Sequence, residues 1–248
     1  MRRGLVILVA AATLAGCGGG GSSSAAPGLA GARGRTVAEG TARFTLLIDV
    51  IVGGRAVRAS ENGTVSFTRR RAHLYKLVPG GGLPQELVFD GPWTYTNANV
   101  QAALQDPSVR PWTKLDMRRL SPAQRAARPD ELAHVRALVY LSDGVARPKR
   151  IGEDTVEGEK ATRFRGVVDP ARVIDRAPGV AAALRNDYPA KPFSADFWLD
   201  AAGRVRRVLV AYRTAGGTPI TLDGRYGDFG TKIDLGLPPA GSIQDISP

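Results

Sequence analysis

Apolar residues recur at every second position through most of this chain, and that period selects strands. Phe44, Leu46, Ile48, Val50 and Val52 alternate along one side of a long segment, with Thr45, Leu47, Asp49 and Ile51 on the other. A helix, turning every 3.6 residues, would scatter the same side chains around its axis. Gly53-Gly54 supplies a turn, after which Val57, Ala59, Val65 and Phe67 share a parity. Asn62-Gly63 between them marks a bulge or an extra turn. Further strands are expected at His73 to Val78, at Glu86 to Phe89, and at Trp93 to Thr96 after the Gly91-Pro92 turn. Connections this short make the neighbours antiparallel.

The middle of the chain changes period. Ser121-Pro122-Ala123-Gln124 carries the cap, the proline and the glutamine of a capping box, so a short helix is expected to run to about Arg128. A second helix follows Pro129 with Asp130 as cap, and Leu132, Val135, Leu138 and Val139 fall on one face of it. Lys149 to Val156 and Lys160 to Val168 form a hairpin around Glu157-Gly158, and Asp169-Pro170 opens a third helical segment that Pro178-Gly179 interrupts. The last third returns to strands at Ala195 to Asp200, Arg204 to Arg213 and Pro219 to Tyr226, with a short piece near Ile233. Helices gathered in two insertions within an antiparallel sheet predict an α+β fold with helices on one side of a curved sheet.

The N-terminus has a different logic. Met1-Arg2-Arg3 precedes an apolar run from Leu5 to Ala15, and Leu14-Ala15-Gly16-Cys17 closes it. Basic residues, an apolar stretch of signal-peptide length and small residues before a cysteine make a bacterial lipobox. The run is too short for a membrane span, which needs about 20 apolar residues. Cys17 is the only cysteine, so it has no disulfide partner and is expected to be acylated, with palmitate as a typical chain. Two or three chains at about 0.8 kcal/mol per methylene would hold the protein at a membrane. Residues 1–16 are thus read as signal peptide, 17–36 as acylated cysteine and flexible tether, and 37–248 as one domain. A coil over 18–36 spans roughly 24 Å. The expected location is the extracytoplasmic face of the cell membrane.

Loss of Arg2 and Arg3 with the signal takes the formal charge from +11 to +9. After export, anionic headgroups or wall polymers replace nucleic acid as natural counterions, and no nucleic-acid partner is expected. Of 34 basic residues 28 are arginine, which fits the codon usage of a GC-rich genome as well as it fits a binding site. Nucleophile-elbow, zinc-protease and phosphate-loop motifs are absent, and His73 and His134 are the only histidines. Neither catalysis nor a metal or cofactor is expected; Glu153, Asp154, Glu157 and Glu159 cluster at a hairpin end, where charges are ordinarily solvated.

Phe197-Trp198-Leu199-Asp200 turns through Ala201-Ala202-Gly203 into Arg204-Val205-Arg206-Arg207-Val208, and Thr162 to Asp169 forms a strand leading into the second helical insertion. With the lipobox, tether and long paired N-terminal strands, these segments resemble the LolA-like bacterial lipoproteins, in particular the actinobacterial LppX and LprG type. The resemblance covers about residues 37 to 235. It implies a half-barrel sheet whose concave face and covering helices enclose an apolar cavity for acyl chains of lipids or glycolipids, with a possible envelope transporter or protein as further partner. Only Cys17 carries over residue by residue.

The residues themselves suggest the same cavity without requiring it. A strand apolar on both faces, as Leu47 and Ile48 make this one, must be covered twice or must line something. Phe44, Leu46 and Ile48 with Leu132, Val135, Leu138 and Val139 are the candidate wall. A chain of about 16 methylenes offers roughly 13 kcal/mol of transfer energy before ordering costs, near what leaving a bilayer requires, so exchange is favoured over sequestration. A filled core is the alternative, and with it a sensor or protein-interaction module that holds no lipid.

Overall fold

A computed structural model describes residues 28–77, 84–126, 128, 131–214 and 216–248. Its sheet has twelve strands: β1 (Thr41–Val52), β2 (Arg55–Ser66), β3 (Arg71–Leu77), β4 (Gln85–Asp90), β5 (Trp93–Thr96), β6 (Trp112–Asp116), β7 (Lys149–Val156), β8 (Glu159–Val168), β9 (Phe193–Leu199), β10 (Val205–Arg213), β11 (Pro219–Gly227) and β12 (Ile243–Asp245). The order is β12-β6-β5-β4-β3-β2-β1-β11-β10-β9-β8-β7. Two meanders, β1 to β6 and β7 to β11, join where β1 pairs with β11, and the sheet stays open at both ends. Pairing is antiparallel except for β12, which lies parallel to β6.

Local chemistry accounts for most of these elements. Glu157 and Gly158 at the β7–β8 turn have φ of 51° and 84°, the left-handed pair that a two-residue hairpin needs. Gly63 makes neither bulge nor turn: β2 runs straight through it in unbroken register with β1. What requires glycine there is proximity, because a Cβ would sit 2.1 Å from the His73 carbonyl oxygen of the adjacent strand.

The helices are α1 (Ala32–Ala38), α2 (Val100–Gln105), α3 (Pro122–Ala126), α4 (Glu131–Tyr140), α5 (Pro170–Arg176) and α6 (Ala181–Asp187). The capping box at α3 forms as the sequence predicts, with Ser121 N–H donating to Gln124 Oε1 at 2.8 Å and Gln124 N–H to Ser121 Oγ at 3.2 Å. Asp169 caps α5 by accepting from Ala171 N–H at 3.1 Å. The expected caps of the second helix, Pro129 and Asp130, lie outside the described residues, as does Cys17.

Two further expectations need correction. The tether was to reach residue 36, but Leu29, Ala32 and Thr36 are buried and α1 packs into the domain. Thr36 Oγ1 accepts from the buried Val205 N–H at 2.8 Å, so this segment completes the start of β10. The strand expected near Ile233 does not form; residues 231–239 run without regular structure across the outer face, where Ile233 and Leu235 bury against Val88. α2, β6 and β12 were not anticipated.

The core lies between the sheet and its helices. Phe44, Leu46 and Ile48 of β1 stand beside Tyr226, Gly224 and Leu222 of β11, which stand beside Val208 and Val210 of β10. Small residues make seats for what lies above. A Cβ on Gly224 would meet Leu138 Cδ1 of α4 at 2.6 Å, and one on Gly166 would meet Val145 Cγ1 at 2.3 Å. The Tyr226 hydroxyl donates to the Val135 carbonyl oxygen at 2.6 Å and fixes α4 on the sheet.

Candidate functional site

Phe44, Leu46, Leu132, Val135, Leu138 and Val139 are all buried in one cluster, with Ile48 packed against its edge. The structure therefore brings all seven sequence candidates together. Their common place is the packed inner part of the layer, where α4 rests on Gly224.

Coverage fails toward one end of the same face. Along β1, Phe44 and Leu46 are buried while Ile48 and Val50 are half-buried. The gradient repeats on each neighbour: Leu222 is buried and Ile220 half-buried on β11, and Val208 and Val210 are buried and Tyr212 half-buried on β10. On β2 the residues opposite Ile48 and Val50 are Ala59 and Val57, both half-buried. An apolar face that continues past its covering helices leaves a partly exposed apolar patch. Glu61, opposite Leu46, places a buried carboxylate on this face, held by Lys76 Nζ at 3.3 Å.

A pocket of 530 Å³ lies at this end, between the end of α6 and the end of β10. That is within the usual 300–1,000 Å³ range of small-molecule sites. Tyr188 and Tyr212 are its aromatic lining residues. Tyr188 stacks on Phe193 with ring centroids 5.9 Å apart, and Tyr212 tilts against both at 5.7 and 6.0 Å. The Tyr212 hydroxyl donates to the Asp187 carbonyl oxygen, tying the strand to the helix end. Burial, reinforced by the nearby Asp187 charge, pushes the Tyr212 hydroxyl up to about 12. Burial likewise pushes Tyr188 well above the ordinary tyrosine value, so both are neutral phenols at any physiological pH. The Tyr188 hydroxyl is buried and finds no partner among the described residues.

The rim is basic. Arg185, Lys191 and Arg213 line the pocket and are exposed. Asp187 is the acid among the lining residues, and its carboxylate faces His134 Nδ1 at 3.2 Å. None of these pocket residues was singled out by the sequence. Tyr188-Pro189 at a helix end was the available signal, since a large aromatic before a proline marks a stop that still buries something.

A larger groove of 690 Å³ runs along the outer face beside residues 231–234. Thr45, Ser60, Asn62 and Thr64 line it together with Leu47 and Tyr75, so its surface mixes polar and apolar groups. Its His73 is engaged on both nitrogens, Nε2 lying 2.6 Å from Glu86 Oε1 and Nδ1 3.1 Å from the Asp234 carbonyl oxygen. Among the described residues no cluster of three or more metal-ligating side chains occurs, and no helix is long and apolar enough to cross a membrane.

No family model and no curated protein matches the chain. Among solved structures it is similar to LprF from Mycobacterium bovis, at 14% identity over 85% of this chain and 94% of that one with a TM-score of 0.47. It is also similar to the lipoprotein LppX from Mycobacterium tuberculosis, at 12% identity over 84% and 97% with a TM-score of 0.37. A LolA superfamily protein from Nitrosomonas europaea matches at 11% identity over 85% and 93%, with a TM-score of 0.28. These are the type of protein the sequence resembles. The likeness is one of chain layout, and no residue's role is taken from it.

Proposed function

We propose that this protein is a cell-envelope lipoprotein, anchored through acylated Cys17 at the extracytoplasmic face of the membrane, that binds the acyl chain of a lipid or glycolipid and carries or presents it. The observation that carries the reading is the burial gradient: the apolar helix-covered face runs out from under its helices at Ile48, Val50, Ile220 and Tyr212 and meets an aromatic pocket there. Ile48 is the sequence candidate placed to touch a ligand first. Phe44, Leu46 and the four residues of α4 form the deeper part of the same layer, which a chain reaches only by displacing α4 from its seat on Gly224.

Lipid extraction tests the binding. Protein purified from its own membranes is expected to release non-covalent lipid into organic solvent, and to show it by native mass spectrometry. Absence of such lipid, with no uptake of an added fluorescent acyl probe, would refute the reading. Anchoring has its own test: Cys17→Ser is expected to leave a folded protein that no longer pellets with membrane at high salt, and wild type is expected to incorporate labelled palmitate.

The outer-face groove favours a second reading, a protein-interaction or sensing module. Tyr75 is 42% exposed beside that groove, whose mixed polar and apolar lining suits a peptide. A domain that holds no lipid but loses partner binding on Tyr75→Ala would establish it.

A further inference from the structure

The pocket at the uncovered end joins two chemistries that an ordinary core edge does not combine. Tyr188 and Tyr212 line it, with Phe193 packed against both rings, and its rim carries Arg185, Lys191 and Arg213. Many arginines elsewhere on this fold are matched with acids, while Arg35, Arg110 and Arg176 bond to carbonyl oxygens. Arg163 and Arg165 share Asp196, Arg207 and Arg225 share Asp223, and Arg204 bridges Asp200 and Glu39. No carboxylate lies within ion-pair distance of Arg185, Lys191 or Arg213 among the described residues. Arg213 gives one N–H to the Gly217 carbonyl oxygen at 2.9 Å and keeps its charge uncompensated. The rim thus holds three cations against one acid, Asp187, which already faces His134.

We infer that the ligand is an anionic amphiphile, whose headgroup carboxylate or phosphate sits among Arg185, Lys191 and Arg213 while its chain lies against the aromatic wall and the Ile220 end of the sheet. This rests on the lipid-binding reading and narrows it. Neutral lipids of equal chain length satisfy the wall but leave the cations unmatched. Charged heads at the edge of an apolar surface are the arrangement that long basic side chains adopt at a bilayer surface.

The test uses the full chain carrying Cys17→Ser, which has no acyl chain of its own to compete, and two probes of the same chain that differ in headgroup charge and by one methyl group: cis-parinaric acid and its methyl ester. The acid is expected to bind tighter than the ester. The triple variant R185Q/K191Q/R213Q is expected to lose about 10-fold in affinity for the acid, and raised salt to do the same in wild type, while the ester is unaffected. The lysine variant R185K/R213K should retain acid binding. All three side chains are exposed, so the melting temperature should not move. Competition then separates the sources of the anion: displacement by oleate alone points to a free fatty acid, and displacement by phosphatidylglycerol but not phosphatidylcholine to a phospholipid. Equal affinity for acid and ester in wild type, unchanged in the triple variant, overturns the headgroup inference and leaves chain binding standing. If neither probe binds, both fall.

Discussion

Two large rings show opposite treatments of a buried polar atom. Trp198 donates its Nε1–H to Asp154 Oδ2 at 2.8 Å and lies under Arg163 and Arg207, whose guanidinium carbons are 5.0 and 4.5 Å from the ring centroid. Tyr188, by contrast, has a buried hydroxyl without a partner among the described residues. Such a group costs about 1–3 kcal/mol. Tyr188→Phe is therefore expected to raise the stability of the ligand-free protein by about 1 kcal/mol, or about 2–4 °C in melting temperature. A fall in melting temperature would show that the hydroxyl has a partner in solution. Acid stability tests another residue. Hydrogen bonds from the Arg118 side chain hold Asp116 down from 3.8 to about 2. A carboxylate with a lowered folded-state value stabilises the fold above its unfolded value, and that contribution is lost as pH falls from 3.8 toward 2. Asp116→Asn should lower stability at neutral pH and flatten the acid limb of a melting-temperature profile across that interval.

At the scale of elements, α1 and α4 are held by different forces. α4 buries six apolar residues, Leu132, Ala133, Val135, Ala137, Leu138 and Val139, and seats Leu138 on Gly224, so shape complementarity places it. α1 has little apolar surface: Ala32 is buried in the core and Val37 packs at its edge, with Thr36 the other buried side chain. What fixes it is polar: Thr36 Oγ1 accepts from Val205 N–H, and Arg35 Nε donates to the Gly203 carbonyl oxygen at 2.9 Å. Thr36→Val keeps the shape and removes the acceptor. It is expected to cost about 1–3 kcal/mol in urea denaturation, with faster amide exchange at Val205. Unchanged stability would mean that water replaces the threonine and that α1 belongs to the tether after all.

Across the whole molecule the open sheet has two edges, and each is guarded differently. β7 exposes Lys149, Arg150, Glu153 and Asp154 and shifts register between Arg150 and Gly152, so charge and irregularity discourage a further strand. The β6 edge is covered by the chain's own end: β12 pairs along it, Arg110 reaches the Ile243 carbonyl oxygen at 2.7 Å, and Asp116 N–H donates to Ser247 Oγ at 2.8 Å. Removing residues 243–248 should uncover β6 and drive self-association through that edge, seen as a concentration-dependent shift in size-exclusion chromatography. A truncated protein that stays monomeric would show that β12 contributes only local stability.

The sequence by itself determined ten of the twelve strands, most turns and the caps at Ser121 and Asp169, because alternation, Gly-Gly or Glu-Gly pairs and Ser-Pro-x-Gln act within a few residues of one another. It also identified which side of β1 and of α4 is apolar, hence the seven residues that meet in the core. Only the tertiary structure decided that β1 closes against β11, that Leu29 to Ala38 joins the domain, and that residues 231–248 cross the outer face to complete β6. Each of these depends on partners far apart in the chain, and short polar or weakly apolar segments gain order only when those partners are present. The candidate pocket belongs to the same class. Period two shows that Ile48, Val50, Ile220 and Tyr212 face the helices, but whether a helix reaches far enough to cover them depends on where α4 and α6 are seated. Gly224 and the Tyr226 hydroxyl fix that seat for α4 across more than eighty residues of sequence.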